Sequence, residues 1–486
     1  MSSLFHATST TSPTYHIEPV RLVWDPLKLA QAAGTQGALL DSGSGYGTLG
    51  RFSFFGCEPF LTLSSFGSKL HIVHEGKKRV EQGNPIQVLA RLVREQAVEA
   101  VGASDHSFCF PFRTGAAIGF FSYELSRFIE PFPRLTKDDS GVPELYFCFY
   151  DALLAHDHSN NQTSLIVRNK PQAKKRLQIT LDKIQESSLL VTQPVFSGGK
   201  EHLSWQSSFT YESYAAAVRH SQRYITAGEI YQVNLSQRLW SRCPMPPPHL
   251  YQRFRTASPA PFGAYIEGKD WAVLSLSPER FLRYWPQQRR IQTRPIKGTR
   301  PRGSTQEEDR NLRQQLLESP KDGAEHVMIV DLERNDLGRV ADFGTVQVRN
   351  FRCLETFPTV HHLTSTVEGR LRADRQVDDL LGATFPGGSI TGAPKVRAMQ
   401  IIDELEPQLR GVYTGSIGYI AFDGSFDLNI AIRTLVLKDG WATYSAGGAI
   451  VADSQVEDEY LETFYKAGPF LKALNLSCPP QLNAVH

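Results

Sequence analysis

An excess of charge of either sign is missing from this chain. Across 486 residues, 52 basic side chains stand against 50 acidic ones, a formal net charge of +2. That balance excludes the broad basic surface of a nucleic-acid or membrane-surface protein, so any basic patch must be local. Cysteine is sparse: Cys57, Cys109, Cys148, Cys243, Cys353 and Cys478 are scattered, with no Cys-x-x-Cys pair and no metal-ligand spacing. They read as reduced, mostly buried thiols of a cytoplasmic protein, not as a disulfide framework. No apolar run is long enough to cross a bilayer. Met1 to Tyr15 is rich in Ser and Thr but has neither an apolar core nor arginines, so it reads as a frayed end rather than a secretory or transit signal. Walker and dinucleotide glycine patterns are absent, as are internal repeats and low-complexity tracts.

What remains is an ordinary globular profile, 41% apolar and 21% charged. The length implies two domains or one large composite one. Short strands are predicted at Arg51–Phe55 and Phe60–Leu63, and a hairpin from Leu145–Leu154 and Ser164–Val167 around the polar turn His158–Asn161. Ile86, Leu89, Leu92 and Val93 recur at helical spacing and predict a helix over Pro85–Glu99, capped by Asn84. Pro194–Lys200 is the best linker, which divides the chain into 16–195 and 205–475. Beyond it a helix is predicted at Tyr211–Ala227, stopped by Gly228, then strands at Tyr231–Leu239 and Trp271–Leu276. Helices and strands mix without βαβ repetition, which predicts an α+β fold.

The chemistry concentrates after the linker. Lys297 sits in a loop-like run, Arg294-Pro295-Ile296-Lys297-Gly298-Thr299-Arg300-Pro301-Arg302-Gly303. A lysine held by such a backbone is either a solvated amine or a desolvated one that loses its proton near neutral pH and becomes a nucleophile. Ser319-Pro320 predicts the start of a helix carrying Asp322 and Glu325 on one face, just before the apolar run Val327–Val330. A second acidic helix is predicted over Gln455–Leu471, with Glu459, Glu462 and Lys466 in one stripe. These carboxylates are either solvated faces or, if the helices meet, the ligands of one hard divalent ion, most naturally magnesium. Two glycine-rich turns, Phe385–Lys395 and Ser445–Ile450, suit either tight chain reversals or an anion held by bare amides. Arg433, inside the strand-like run Ile430–Thr434, is a candidate to grip a carboxylate. Together these features suit a small, multiply carboxylated substrate.

The same blocks resemble the chorismate-utilising enzymes. The resemblance rests on Gly228-Glu229-Ile230-Tyr231-Gln232-Val233-Asn234-Leu235-Ser236, Leu276-Ser277-Pro278-Glu279-Arg280-Phe281, the PIKGT block around Lys297, the Glu325-His326 helix, Ser389-Ile390-Thr391-Gly392-Ala393-Pro394-Lys395 and Ala446-Gly447-Gly448-Ala449-Ile450. It covers the whole chain after the linker and, more faintly, the part before it. It implies a large composite antiparallel β-sandwich with helices. In the family, lysine in the PIxGT block marks the aminodeoxychorismate branch and alanine the anthranilate branch. Gln232 stands where the isochorismate and salicylate branch has a water-activating lysine. The resemblance therefore implies amination of chorismate at carbon 4, on the para-aminobenzoate route to folate, with the anthranilate branch as the alternative. A reading of the 294–302 segment as an RNA-binding loop is opposed by the neutral charge and the lack of interleaved aromatics.

Carried over residue by residue, the resemblance implies Lys297 as covalent nucleophile, Glu279 as general acid and base, and His362 beside the departing hydroxyl. Glu325 and Glu462 would hold magnesium, with Glu459 and Asp322 close by. Gly447, Gly448, Ala449 and Arg433 would hold carboxylates, with Thr391, Tyr413 and Lys466 lining the same site. Leu40, Asp41 and Ser42 facing Pro261 and Phe262 resemble the family's tryptophan pocket. No cysteine stands in a glutaminase-like nucleophile elbow, so the implied ammonia source is a separate glutamine amidotransferase subunit.

Overall fold

The computed structural model describes residues 15–43, 45–97, 110–132, 136, 139–189 and 204–477. The N-terminal end and the linker at 194–200 lie outside these. Two twelve-stranded antiparallel sheets form the frame, as the α+β sandwich reading requires. The first sheet runs Tyr15–Val20, Gln162–Arg168, Ala152–Asp157, Phe52–Gly56, Ala38–Asp41, Phe262–Glu267, Trp271–Ser277, Thr434–Lys438, Trp441–Ile450, Gln232–Arg242 and Trp205–Ser207, with Gly392–Ala393 attached to Gln232–Arg242. The second runs Ile296–Pro301, Val360–Arg370, Arg290–Arg294, Arg280–Trp285, Phe426–Asn429, Ser416–Ala421, Ala116–Phe121, Leu145–Tyr150, Leu61–Phe66, Lys69–His74 and Lys77–Gln82, with Gln347–Thr356 attached to Val360–Arg370.

Neither sheet belongs to one part of the chain. The first is continuous through the pairing of Ala38–Asp41 with Phe262–Glu267, and the second through Ala116–Phe121 with Ser416–Ala421. One large apolar cluster includes Phe54, Phe112, Phe120, Phe147, Val273, Ile417 and Leu428. A second joins strand residues such as Leu39, Leu239, Leu274 and Leu435 to residues of the helices Pro26–Ala33, Pro247–Ala257 and Val456–Leu474. Burying such a continuous apolar face is the dominant favourable term in folding. No helix among the described residues is long and apolar enough to cross a membrane.

Local signals placed most elements well. Asn84 caps its helix by accepting from the Ile86 and Gln87 amides (3.0 and 3.4 Å), although that helix ends at Glu95 rather than Glu99. Gly228, at φ +76°, follows the helix Tyr211–Thr226. The apolar run Leu145–Leu154 proves to be two strands in different sheets, Leu145–Tyr150 and Ala152–Asp157. The chain changes sheet at Asp151, whose carboxylate is held by Arg176. An apolar run shows burial on both faces but not where the chain bends.

The seam of the second sheet sets Gly119 opposite Gly418. A Cβ at Gly418 would drive into the Asp427 carbonyl, whereas one at Gly382, in the helix Val377–Thr384, meets nothing within 4 Å. Gly418→Ala is therefore expected to lower stability in urea unfolding by about 1–3 kcal/mol. Gly382→Ala is expected to be neutral or to stabilise by roughly 0.5–1 kcal/mol. Equal losses in the two variants would contradict this account of the close approach of Phe426–Asn429 to Gly418.

Candidate functional site

Two helices and one strand bring the charged side chains together. Ser319 starts the first acidic helix, Pro320–Gly338, by accepting from the Asp322 amide (3.2 Å). The second, Val456–Leu474, packs on the strand Trp441–Ile450. Lys297 is not in a loop: it lies in the edge strand Ile296–Pro301, beside Gly298 at φ +88°. There the register with Val360–Arg370 slips between Ile296 and Thr299. The glycine supplies the bulge that re-aims the strand, a common device next to active sites.

The Lys297 ammonium makes no hydrogen bond or ion pair with the described residues, and the charges that act on it are Glu325, Lys466, Glu279 and Glu462. The two acidic helices and the PIKGT strand thus converge. Burial pushes the Lys297 ammonium below the ordinary lysine range; Lys466 adds to that, while Glu325, Glu279 and Glu462 pull it partly back. Glu279 is 4% exposed, and burial raises its carboxyl against the opposing pull of Ser389, the Ile296 amide, Lys297 and Arg294. The Ile296 amide donates to Glu279 Oε1 at 3.3 Å. His362, buried on Val360–Arg370, shares a 2.8 Å hydrogen bond with Thr299, and burial next to Arg433 and Arg294 lowers it to about 3. A neutral imidazole therefore faces this end of the site.

The acidic face is crowded by cations. Lys466 pairs with Glu462 at 2.6 Å and donates to the Gly447 carbonyl at 2.7 Å. Burial would raise Glu462, yet Lys466, Lys321 and Lys297 together bring it below the usual glutamate range. Burial raises Glu325 against the pull of Lys297 and Lys321, and raises Glu459 against the Ser454 hydrogen bond and Lys321. Asp322 is held by Arg300 (2.9 Å). Glu459 accepts from Ser454 (2.7 Å) and Lys321 (3.4 Å) through Oε1, while its buried Oε2 has no partner. Among the described residues no three His, Cys, Asp or Glu side chains form a ready metal cage. Magnesium needs none, since it keeps several waters and takes one or two carboxylates. The orphaned Glu459 oxygen fits such an ion, and so does the bare backbone beside it: a Cβ at Gly448 would lie 2.9 Å from that oxygen.

The Ser445–Ile450 segment is not a turn. Gly447, Gly448 and Ala449 lie inside the strand Trp441–Ile450, opposite Ser236, Leu235 and Asn234. Past Tyr444 that strand leaves its other neighbour, Thr434–Lys438, so one edge is without a strand partner among the described residues. Arg433 is not in a strand either. It sits at φ +49° between Phe426–Asn429 and Thr434–Lys438 and donates to Ser258 (3.2 Å). An apolar run interrupted by a left-handed residue cannot be told from a strand by pattern alone. Thr391 is buried in the other glycine-rich segment, its carbonyl accepting from the Asn234 amide (2.7 Å) and its hydroxyl donating to Gly387 (3.1 Å). Tyr413 is buried, with Arg410 over its ring at 6.0 Å. The basic run is neutralised internally: Arg294 pairs with Glu355, Arg300 with Asp322 and Arg302 with Asp309.

Leu40, Ser42, Pro261 and Phe262 line one cleft with Asn429. Asp41 points away from it, pairing with Arg255 and accepting from Tyr251 (3.1 Å). Alternation along the strand puts it on the opposite face. Sequence reasoning missed Lys321, Ser389 and the buried pair Glu406–Arg410. Only the last had a readable signal, glutamate four residues before arginine.

The profile of the family described as chorismate binding enzyme matches residues 51–472. Aminodeoxychorismate synthase component 1 of Escherichia coli is 42% identical over 90% of this chain and 92% of its own length. Anthranilate synthase component 1 of Thermus thermophilus is 40% identical over 93% of this chain and 94% of its own. The crystal structure of anthranilate synthase component I from Streptococcus pneumoniae superposes with a TM-score of 0.72 at 32% identity, covering 86% of this chain and 91% of that one. The chain belongs to the chorismate-binding enzyme family and is an enzyme that acts on chorismate.

Proposed function

We propose that the chain is the aminodeoxychorismate synthase component that replaces the carbon-4 hydroxyl of chorismate with ammonia. The observation that carries this reading is the Lys297 amine, unpartnered and held below the ordinary lysine range opposite Glu279 and Glu325. A neutral amine is a nucleophile; a paired ammonium is not.

In this reading Lys297 Nζ forms a bond to ring carbon 2 as the double bonds shift and the carbon-4 oxygen leaves. Glu279, whose carboxyl burial raises above the ordinary glutamate range, gives that oxygen its proton, and water departs. Ammonia then bonds to carbon 4, the double bonds shift back, and the Lys297 amine is expelled, with Glu279 returned to its acid form. The net change is loss of water and gain of ammonia, with the enolpyruvyl ether intact. Glu325, Glu459 and Glu462 would hold magnesium, which when bound would draw electron density toward the ring carboxylate. Arg433, Tyr413, Thr391 and the Gly447–Ala449 strand edge would orient the two carboxylates, and His362 would line the departing side. Ammonia would come from a separate glutamine amidotransferase subunit. The cleft at Leu40, Ser42, Pro261 and Phe262 would be the tryptophan pocket.

The competing product is anthranilate, because relatives with that activity are about as similar. Mass analysis of the product from chorismate, ammonium and magnesium separates the two. 4-Amino-4-deoxychorismate is expected, and anthranilate formed without an added lyase overturns the reading. Lys297→Ala is expected to reduce ammonia-dependent turnover to background. Glu279→Gln is expected to slow it on the order of 10²-fold or more.

The charge state of Lys297 is checked separately. Its reductive methylation, followed by peptide mass mapping, should show a midpoint below the 10.5 of an unperturbed lysine. Glu325→Gln removes a negative neighbour that favours the ammonium, so the midpoint should fall further. A midpoint at or above the ordinary value, or an upward shift in the variant, would contradict the assigned environment.

A further inference from the structure

Three lysines, Lys297, Lys321 and Lys466, face three glutamates, Glu325, Glu459 and Glu462. With Lys297 as the neutral amine of the reading above, two ammonium groups remain beside three carboxylates, so a divalent cation added to this set would leave an excess of one positive charge. Release of one ammonium from its carboxylate restores neutrality. The three lysines differ in how firmly they are held. Lys466 is fixed twice, at 2.6 Å to Glu462 and 2.7 Å to the Gly447 carbonyl. Lys297 has no partner to release. Lys321 makes one long contact, 3.4 Å to Glu459 Oε1, and its side chain is 49% exposed.

We propose that Lys321 is the resident counter-ion of the acidic face: its ammonium neutralises Glu459 in the metal-free protein and must swing out before magnesium can take that carboxylate. The proposal rests on the magnesium site of the reading above. Glu459 Oε2, buried and unpartnered beside the bare Gly448, marks where the ion enters. Lys321 stands on the other oxygen of the same carboxylate. Its place in the first turn of Pro320–Gly338 leaves its stem free to carry the ammonium into solvent without unwinding the helix. Exchange of one cation for another on a shared carboxylate makes Lys321 a determinant of metal affinity rather than a catalytic residue.

The test is a calorimetric titration of the full chain with magnesium chloride alone, at constant ionic strength and without chorismate, for wild type, Lys321→Gln and Lys321→Arg. Lys321→Gln is expected to bind magnesium roughly tenfold more tightly, because ligand charge sets affinity for such ions. It should also melt at a lower temperature without metal and recover with it, since Glu459 is left unpaired. Lys321→Arg keeps the charge and is expected to stay within about twofold of wild type. Magnesium affinity in Lys321→Gln equal to or weaker than wild type overturns the proposal, and does so even if magnesium-dependent amination persists. Absence of magnesium binding by all three proteins, repeated with chorismate present, overturns both the proposal and the metal reading beneath it.

Discussion

The buried guanidinium of Arg410 is the interaction on which the site's shape depends. It is held bidentately by the Glu406 carboxylate (2.9 and 2.7 Å) and donates to the carbonyls of Ile390 (2.9 Å) and Asn234 (2.7 Å). Glu406 in turn accepts from the Ser236 amide and hydroxyl (both 2.8 Å). One ion pair therefore ties the strand Gln232–Arg242, the turn Gly388–Ile390 and the segment leading to Tyr413. Burying two charges is tolerable only when they are paired and their remaining hydrogen-bonding capacity is filled. Here it is, and stranding either partner would cost about 3–5 kcal/mol. What the pair secures is position: Thr391 follows Ile390 directly, and Tyr413 lies under the same guanidinium.

Around that frame the site is a problem of charge placement. Glycine at 448 lets the strand approach Glu459 closely, and the loss of a neighbouring strand past Tyr444 frees an edge. Burial dominates at five of the ionisable groups, raising Glu279, Glu325 and Glu459 and lowering Lys297 and His362, whereas at Glu462 the neighbouring lysines win. Desolvation favours the neutral form of each. The proposed reaction asks for an acid shifted toward its protonated form and an amine shifted toward its free form, and burial moves Glu279 and Lys297 in those directions.

Much of this was legible in the chain. Caps and breakers marked the helices at Asn84, Gly228 and Ser319, and the stripes of Glu325 and of Glu459, Glu462 and Lys466 identified faces that do converge. Backbone conformation at single residues was not legible. Arg433 at φ +49° looks like a strand residue because its neighbours are apolar, and Gly447-Gly448 looks like a turn because glycine usually makes one. Lys297 read as a loop residue because Pro295 and Gly298 flank it, yet glycine and proline also occur where an edge strand bulges. Asp41 turned away because only the register, set by Phe262–Glu267 across from it, decides which face a strand residue takes. Lys321 escaped notice because an exposed lysine in a first helical turn carries no pattern; its meaning comes from a carboxylate on another helix.

The groups proposed to react and to bind are carried by different sheets, and this gives the composite architecture a chemical consequence. Lys297 and His362 ride on strands of the second sheet, whereas Gly447 and Gly448 belong to the first. Glu459 and Glu462 sit on a helix packed against that first sheet. The distance between amine and acids is therefore set by how the two sheets stack, not by any one loop. Both sheets take strands from the N-terminal part of the chain, and Phe54 meets Tyr419 edge to face across the interior, with ring centroids 5.4 Å apart. Packed interiors transmit strain, because their side chains interdigitate with few voids. A core substitution far from every charged residue can thus displace Lys297 relative to Glu462. Misplacement by 1 Å costs on the order of 10²-fold in rate. The early strands that carry none of the chemistry are, on this argument, part of the device that aims it.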